Sequence, residues 1–295
     1  MKIGIIGLGK MGSRIAEKLV EEGHAVVGWN RSESPLKNVD TIQELVEKLD
    51  KPRIIWIMVS YNAVEEVLLE LKKYIEKDDI VIDGGNSFYK DTQRRFEEFE
   101  KSGIRFLGIG VSGGIIAREN GYPLMVGGSK SGYDYIKPIL DSLARPNGGR
   151  EYFGTGGAGH FVKMVHNGIE YPIMQGLGEG FGVLANSLYD LDLLKIAKLY
   201  QKGSLISGFM LDRTVEALEK DEKLSYVAGV IGSASEEATW TVEEGKKLDQ
   251  PVESIEQAID FRKRSETDEK IQKSFAAKMV GALRIFFGGH EVKKD

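Results

Sequence analysis

The sequence predicts an α/β protein in two parts, a doubly wound parallel sheet followed by an all-α domain. Three observations carry this. Short apolar β-rich runs alternate with helical patterns through the first half. A glycine-rich turn joins the first such strand to the first helix. Beyond roughly Thr155 the strand signal fades and only helical spacing remains. The expected division is residues 1–155 for a dinucleotide-binding domain and 156–295 for a helical substrate and dimerisation domain. A chain of 295 residues is long enough for both.

The elements follow in order. "KIGIIG", "AVVGWN", "RIIWIMV", "DIVIDGG" and "IRFLGIGV" read as strands. "SRIAEKLVEEG", "TIQELVEKL", "AVEEVLLELKKYI" and "TQRRFEEFEKSG" read as helices, the first with Ile15, Leu19 and Val20 at helical spacing. Near-continuous apolar strands are those of a parallel sheet covered on both faces. In the second half, "HFVKMVHNGIEYPIMQGLGEGFGVLANSL" is a long helical stretch, and further helices run to the end. In "LISGFMLDRTVEAL", Ile206, Phe209, Met210, Val215 and Leu218 fall on one broad face.

Composition narrows the function classes. Apolar residues make up 41% and charged residues 29%, as in an ordinary globular protein. A net charge of −5 provides no basic footprint for nucleic acid. The absence of cysteine excludes disulfides, thiolate metal ligands and cysteine nucleophiles. The chain opens on "MKIGIIGLG" with no basic-then-apolar leader, and "IIWIMV" is too short to span a bilayer, so a cytoplasmic protein without a membrane partner is expected.

Gly7-Leu8-Gly9-Lys10-Met11-Gly12 is a G-x-G-x-x-G lying between a strand and a helix. With 36 glycines in the chain the spacing alone means little; the strand–turn–helix context gives it weight. The first glycine permits the turn, the second lets backbone amides reach a pyrophosphate, and the third lets helix and strand pack closely. This is the turn of a Rossmann-like dinucleotide site. An NAD site usually carries an acid at the end of the next strand. Here Trp29 and Asn30 stand in that place, followed by Arg31 and Ser32, whose guanidinium and hydroxyl suit a 2′-phosphate. NADP is therefore the expected cofactor, with NAD the alternative. "IDGGNS" and "GVSGG" follow later strands, where open α/β sheets place ligands.

The stretch after "GTGGAGHFV" is the most informative. Lys163, His166, Asn167 and Glu170 fall three, four and seven residues apart on one helix face, and Tyr171 lies one position on. A solvated face is the commonest meaning of such spacing. The small and apolar neighbours on both sides point instead to a buried helix, where a polar stripe is costly unless it lines a site.

At these residues the chain resembles the 6-phosphogluconate dehydrogenases, within the β-hydroxyacid dehydrogenases. The resemblance spans the length: "GLGKMG", "DGGNS", "GVSGG", "GAGHFVKMVHNGIEY", "WT" at Trp240 and Thr241, and "RIFFGGH". It looks like the short form of the family, without a second helical repeat. The resemblance implies oxidation of 6-phospho-D-gluconate at carbon 3, loss of carbon dioxide to give ribulose 5-phosphate, and no metal. Lys163 matches the general base, which must start neutral, and Glu170 the acid that protonates carbon 1 of the enediol. Asn86, Ser112, Gly113, Gly114, His166 and Asn167 match substrate-orienting positions. Tyr171, Arg262, Arg284 and His290 match those holding the sugar phosphate and the chain end. The cofactor set is Gly7 to Gly12 with Asn30, Arg31, Ser32, Val59 and Asn86. In the family the last two phosphate-side residues come from a neighbouring subunit, which implies a homodimer or homotetramer with shared active sites.

Two departures stand out. The family places a glycine and then a lysine or arginine before the Trp-Thr pair, whereas Glu236, Glu237, Ala238 and Thr239 precede Trp240 here. After the third long strand, "MVSYNA" replaces the family's lysine- or proline-led turn. Dehydrogenation of another 3-hydroxy acid, such as unphosphorylated gluconate, and non-enzymatic NADP binding are the alternative readings. The "RIFFGGH" segment is expected to lie beyond the last helix, broken off by "FGG".

Overall fold

The computed structural model describes residues 1–289. It divides into two compact units, Met1–Met164 and 165–295. Expected position His290 lies outside the described residues.

The first unit is built on a seven-stranded sheet of order β2-β1-β3-β4-β5-β6-β7. Its strands are β1 (Lys2–Ile6), β2 (Ala25–Trp29), β3 (Ile54–Ile57), β4 (Ile80–Asp83), β5 (Arg105–Val111), β6 (Pro123–Gly128) and β7 (Gly149–Gly154). Helices α1 (Lys10–Glu21), α2 (Ile42–Glu47), α3 (Val64–Leu71), α4 (Tyr89–Lys101), α5 (Ala117–Asn120) and α6 (Lys130–Ala144) connect them. Strands β3 and β4 are buried along their whole length, as their unbroken Ile, Val and Trp runs require. One apolar cluster joins Ile3, Ile5, Ile15, Leu19 and Trp56 to Leu140 and Leu143. A separate one joins Ile6, Leu45, Ile57, Leu68 and Phe106. Val20, expected on the apolar face of the first helix, is half exposed.

The sheet is mixed rather than wholly parallel. β1 to β5 pair in parallel, but β5 pairs with β6 antiparallel and β6 with β7 in parallel. Between Val111 and Pro123 the chain holds only short helical turns, too little for a helical crossover, so it reverses against the strand it has just left.

Helix α7 (Ala158–Ala185) leads from the first unit into the second. The second unit contains α8 (Leu193–Tyr200), α9 (Phe209–Lys220), α10 (Glu236–Lys247), α11 (Glu253–Arg264), α12 (Glu269–Gln272) and α13 (Phe275–Gly288). Its core gathers Met174, Phe181, Leu211, Leu218, Val227, Met279 and Leu283. Two expectations are corrected here. Helix α9 begins only at Phe209, after Gly208 at φ 148°, so Ile206 lies outside it and is exposed. Helix α13 runs on through "RIFFG" and ends in a left-handed cap at Gly289, so Arg284 sits inside a helix and not in an extended tail. Its Phe286 and Phe287 pack against the core, and that burial outweighs the helix-weakening glycine at 288.

One buried ion pair fixes a loop that matters below. Asp83, fully buried at the end of β4, accepts from Ser87 Oγ at 2.7 Å, Arg95 Nη1 at 2.9 Å and the Gly85 amide at 3.1 Å. Arg95, also buried, donates its Nε to Glu65. The carboxylate thus ties both sides of Asn86 to α4. Asp83→Asn should cost about 1–3 kcal/mol of stability, since Arg95 keeps Glu65 but the Ser87, Gly85 and Arg95 donors lose their charged acceptor. Chemical denaturation measures this, and a loss under about 1 kcal/mol would show the pair to be incidental.

Candidate active site

The glycine turn is shaped as a cradle. Gly7 is left-handed at φ 100°, and a side chain there would press on the Met58 carbonyl and Val59. A methyl at Gly12 would overlap the Gly7 carbonyl, so the third glycine is needed for packing. A methyl at Gly9 would meet nothing within 4 Å. Gly9 therefore keeps open the space in front of α1, whose first turn carries no acidic residue and no side-chain cap. An open helix N-terminus suits a diphosphate. The Leu8 amide donates to Asn30 Oδ1 at 3.0 Å, and Asn30 Nδ2 donates to the Ser32 carbonyl and hydroxyl, which ties the end of β2 to the turn. Lys10 and Met11 open α1 behind the cradle. Arg31 is exposed and pairs with Glu66 of α3 at 3.2 Å. Gly85 approaches the Val59 carbonyl closely, so the turn before Asn86 and the loop after β3 lie side by side.

Lys163 is seated by glycines. A methyl at Gly110 would overlap Lys163 Cβ and lie 2.8 Å from its Cγ. One at Gly159 would lie 2.5 Å from both the Gly108 carbonyl and the Gly127 amide. The first turns of α7 thus lie directly on the backbone of β5 and β6, and Lys163 is buried there at 7% exposure. His160, one turn earlier, bonds Thr92 Oγ1 through Nδ1 at 2.7 Å and fixes the rotation of the helix. Ser112 follows β5 with its amide bonded to the Pro123 carbonyl, and Gly113 and Gly114 are both left-handed.

The second unit assembles two clusters. In one, His166 Nδ1 meets Asn167 Oδ1 at 3.0 Å and lies 3.9 Å from Glu170 Oε2. Asn167 Nδ2 donates to Glu237 Oε1 at 3.2 Å. In the other, the buried Tyr171 hydroxyl accepts the Ser235 amide at 2.6 Å, and the Arg262 guanidinium lies 3.5 Å from the centre of the Tyr171 ring. Arg284 donates to the Ile231 carbonyl. Burial pushes Arg262 down to about 10, with Tyr171 opposing the shift and Arg284 adding to it, so it remains a cation at neutral pH. Burial lowers Arg284 in the same direction. Neither guanidinium forms a salt bridge among the described residues: Arg262 Nη2 contacts Met174 Sδ at 3.7 Å and Arg284 bonds the Ile231 carbonyl, while the more distant charge of Glu170 opposes the lowering of both. Two cations drawn together around Tyr171, with Glu170 the carboxylate whose charge supports both, form a site that favours an anion. Glu237 was missed from sequence as anything but a lost basic contact. Its available signal was position, one helical turn before Thr241, whose hydroxyl bonds the Glu237 carbonyl. Among the described residues no group of three or more His, Asp or Glu side chains is placed to hold a metal ion.

Fold and cradle together define a nicotinamide-dinucleotide-dependent oxidoreductase with a helical second domain. Residues 2–157 match the NAD binding domain of 6-phosphogluconate dehydrogenase, and residues 159–284 match the 6-phosphogluconate dehydrogenase C-terminal domain. The chain belongs to the 6-phosphogluconate dehydrogenase family, of the decarboxylating type. It is 37% identical over 306 residues to the NAD(+)-dependent, decarboxylating 6-phosphogluconate dehydrogenase of Haloferax volcanii, covering all of both chains. It is 37% identical over 281 residues to the NADP(+)-dependent enzyme of Bacillus subtilis, covering 88% of this chain and 60% of that one. The solved Plasmodium falciparum 6-phosphogluconate dehydrogenase superposes with a TM-score of 0.81 at 30% identity, over 90% of this chain and 62% of that one.

Gly110→Ala tests the seat of Lys163. The added methyl must displace Lys163, the general base that the resemblance implies, so kcat should fall by about 10²-fold, the usual cost of an ångström of misplacement. Cofactor affinity, read by fluorescence titration, should stay within about twofold, since the displacement does not reach the cradle. An unchanged kcat would show that the seat does not position the lysine.

Proposed function

We propose that the chain oxidises 6-phospho-D-gluconate at carbon 3 and releases carbon dioxide to give D-ribulose 5-phosphate. The observation that carries this over an unphosphorylated substrate is the pair of guanidiniums around Tyr171, buried Arg262 and half-buried Arg284, neither in a salt bridge among the described residues. The basic residue absent before Trp240 is thereby compensated, and the phosphate has a site. When bound, the nicotinamide accepts the hydride from carbon 3. Lys163, taken as a neutral amine, removes the 3-hydroxyl proton as the hydride leaves. The product is a β-keto acid, which loses its carboxylate as carbon dioxide because the ketone takes up the electron pair. The protonated Lys163 stabilises the negative charge that develops on that oxygen. Glu170 then delivers a proton to carbon 1 of the enediol. Asn86, Ser112, Gly113, Gly114, His166 and Asn167 hold the hydroxyls and carboxylate.

NADP is the proposed cofactor, with Asn30, Arg31 and Ser32 at its 2′-phosphate and NAD the alternative. The named relatives include users of each dinucleotide, so family membership leaves the choice to this chain's own residues. The Arg31–Glu66 pair is exposed on both sides, and such pairs contribute only about 0–1 kcal/mol, so a phosphate can displace the carboxylate. The functional unit is a homodimer or homotetramer with shared sites in the cytoplasm, in which Arg284 serves its own chain's site beside Tyr171 and Arg262 rather than a neighbour's. The exposed Leu188, Tyr189, Leu199 and Leu205 of the second unit support an oligomer, since single soluble chains rarely leave so many large apolar groups in water. No described helix is long and apolar enough to cross a membrane.

Lys163→Ala should abolish turnover with cofactor binding intact, and Glu170→Ala should lower turnover by about 10²–10⁴-fold, the range for a general acid or base. Near wild-type turnover in Lys163→Ala would remove the mechanism. Arg31→Ala should raise KM for NADP by about tenfold or more, the loss of one charge-assisted contact, and leave that for NAD nearly unchanged. An unchanged NADP constant would overturn the cofactor assignment.

A further inference from the structure

Glu237 is a buried carboxylate that the proposed chemistry does not use. It stands in the first turn of α10 beside Glu236. Glu236 is exposed and already satisfies the helix dipole at little cost, whereas Glu237 is only 6% exposed. Burying a carboxylate costs several kcal/mol by an order-of-magnitude estimate unless it is paired. Its side chain pairs with no cation among the described residues; its hydrogen-bond donor is the Asn167 amide.

The direction of hydrogen bonding follows from what each group can do. A carboxylate only accepts, so it requires the Asn167 Nδ2 donor on its side. That turns Asn167 Oδ1, an acceptor, toward His166 Nδ1. His166 must then carry its proton on Nδ1, which leaves Nε2 as the acceptor of the neutral ring. Glu170 Oε2 lies on the same side of the ring, but at 3.9 Å it is beyond hydrogen-bond distance from Nδ1.

We propose that Glu237 is a positioning residue that, through Asn167, holds His166 in its Nδ1–H tautomer, so that His166 offers Nε2 as an acceptor to a hydroxyl of the sugar acid. This rests on the reading above in which His166 contacts the substrate. A neutral imidazole in water favours the opposite tautomer, so the effect is a selection against the intrinsic preference. A hydrogen-bonded partner that fixes a histidine's tautomer is a common device in active sites and metal sites.

The test is long-range ¹H–¹⁵N correlation of ¹⁵N-histidine-labelled full-length protein above the histidine titration range, alongside steady-state kinetics. The chain has 4 histidines, and His166→Gln assigns the signal. Wild type should show His166 protonated at Nδ1. Glu237→Gln keeps the volume but can present either face of its amide, so it should mix the tautomers and lower kcat/KM for 6-phosphogluconate about tenfold. Glu237→Leu should go further toward Nε2–H, and KM for the cofactor should hold in both variants. A wild-type Nε2–H signal, or unchanged tautomer populations in folded Glu237→Gln and Glu237→Leu, overturns the proposal. A tautomer that shifts while kcat/KM stays fixed leaves the hold of Glu237 on His166 intact, and instead overturns the reading in which His166 meets the substrate.

Discussion

The first turns of α7 lie on bare backbone, and the role proposed for Lys163 rests on that contact. Gly108, Gly110, Gly127 and Gly159 remove the side chains that would otherwise hold helix and sheet apart. Layers of secondary structure are ordinarily held apart by side chains, as in two stacked sheets about 10 Å from one another. Removing those side chains brings Lys163 against β5 and buries it, with Thr92 and His160 fixing the rotation.

The same economy recurs around the cradle. Gly12 packs, Gly9 leaves room, and Gly7 turns, so three glycines in one motif answer to three different constraints. The loop carrying Asn86 is held by charge: Asp83 and Arg95 pay their desolvation to each other and pin the turn between β4 and α4. Unlike these paired charges, the two guanidiniums around Tyr171 form no salt bridge among the described residues, which is why they are read as binding an anion rather than as structural.

Much of this was legible in the residues. The apolar runs that became β1 to β5 are long, β-branched and bounded by turn residues, and their alternation with helices required the doubly wound order. β6 and β7 were harder to read: Pro123, Gly127 and Gly128 interrupt one, and the other exposes alternate residues. The glycine pair of "FGG" does end α13, with Gly289 as its cap, but the helix reaches that far, so Arg284 lies inside it because Phe286 and Phe287 pack against the core. The polar stripe from Lys163 to Tyr171 was legible as a spacing. What Glu237 does was not, because its partner Asn167 is distant in sequence and its burial is a tertiary fact. Glu66 beside Arg31 was hidden for the same reason.

The central claim is that a phosphorylated sugar acid is both oxidised and decarboxylated by this one enzyme. The most direct measurement follows reduced cofactor and released carbon dioxide together, with 6-phosphogluconate and with gluconate as substrates. The account predicts one carbon dioxide for each reduced nicotinamide with 6-phosphogluconate, and far lower kcat/KM with gluconate, which cannot engage Arg262 and Arg284 through a phosphate. Cofactor reduction without carbon dioxide, or equal efficiency on gluconate, would contradict it.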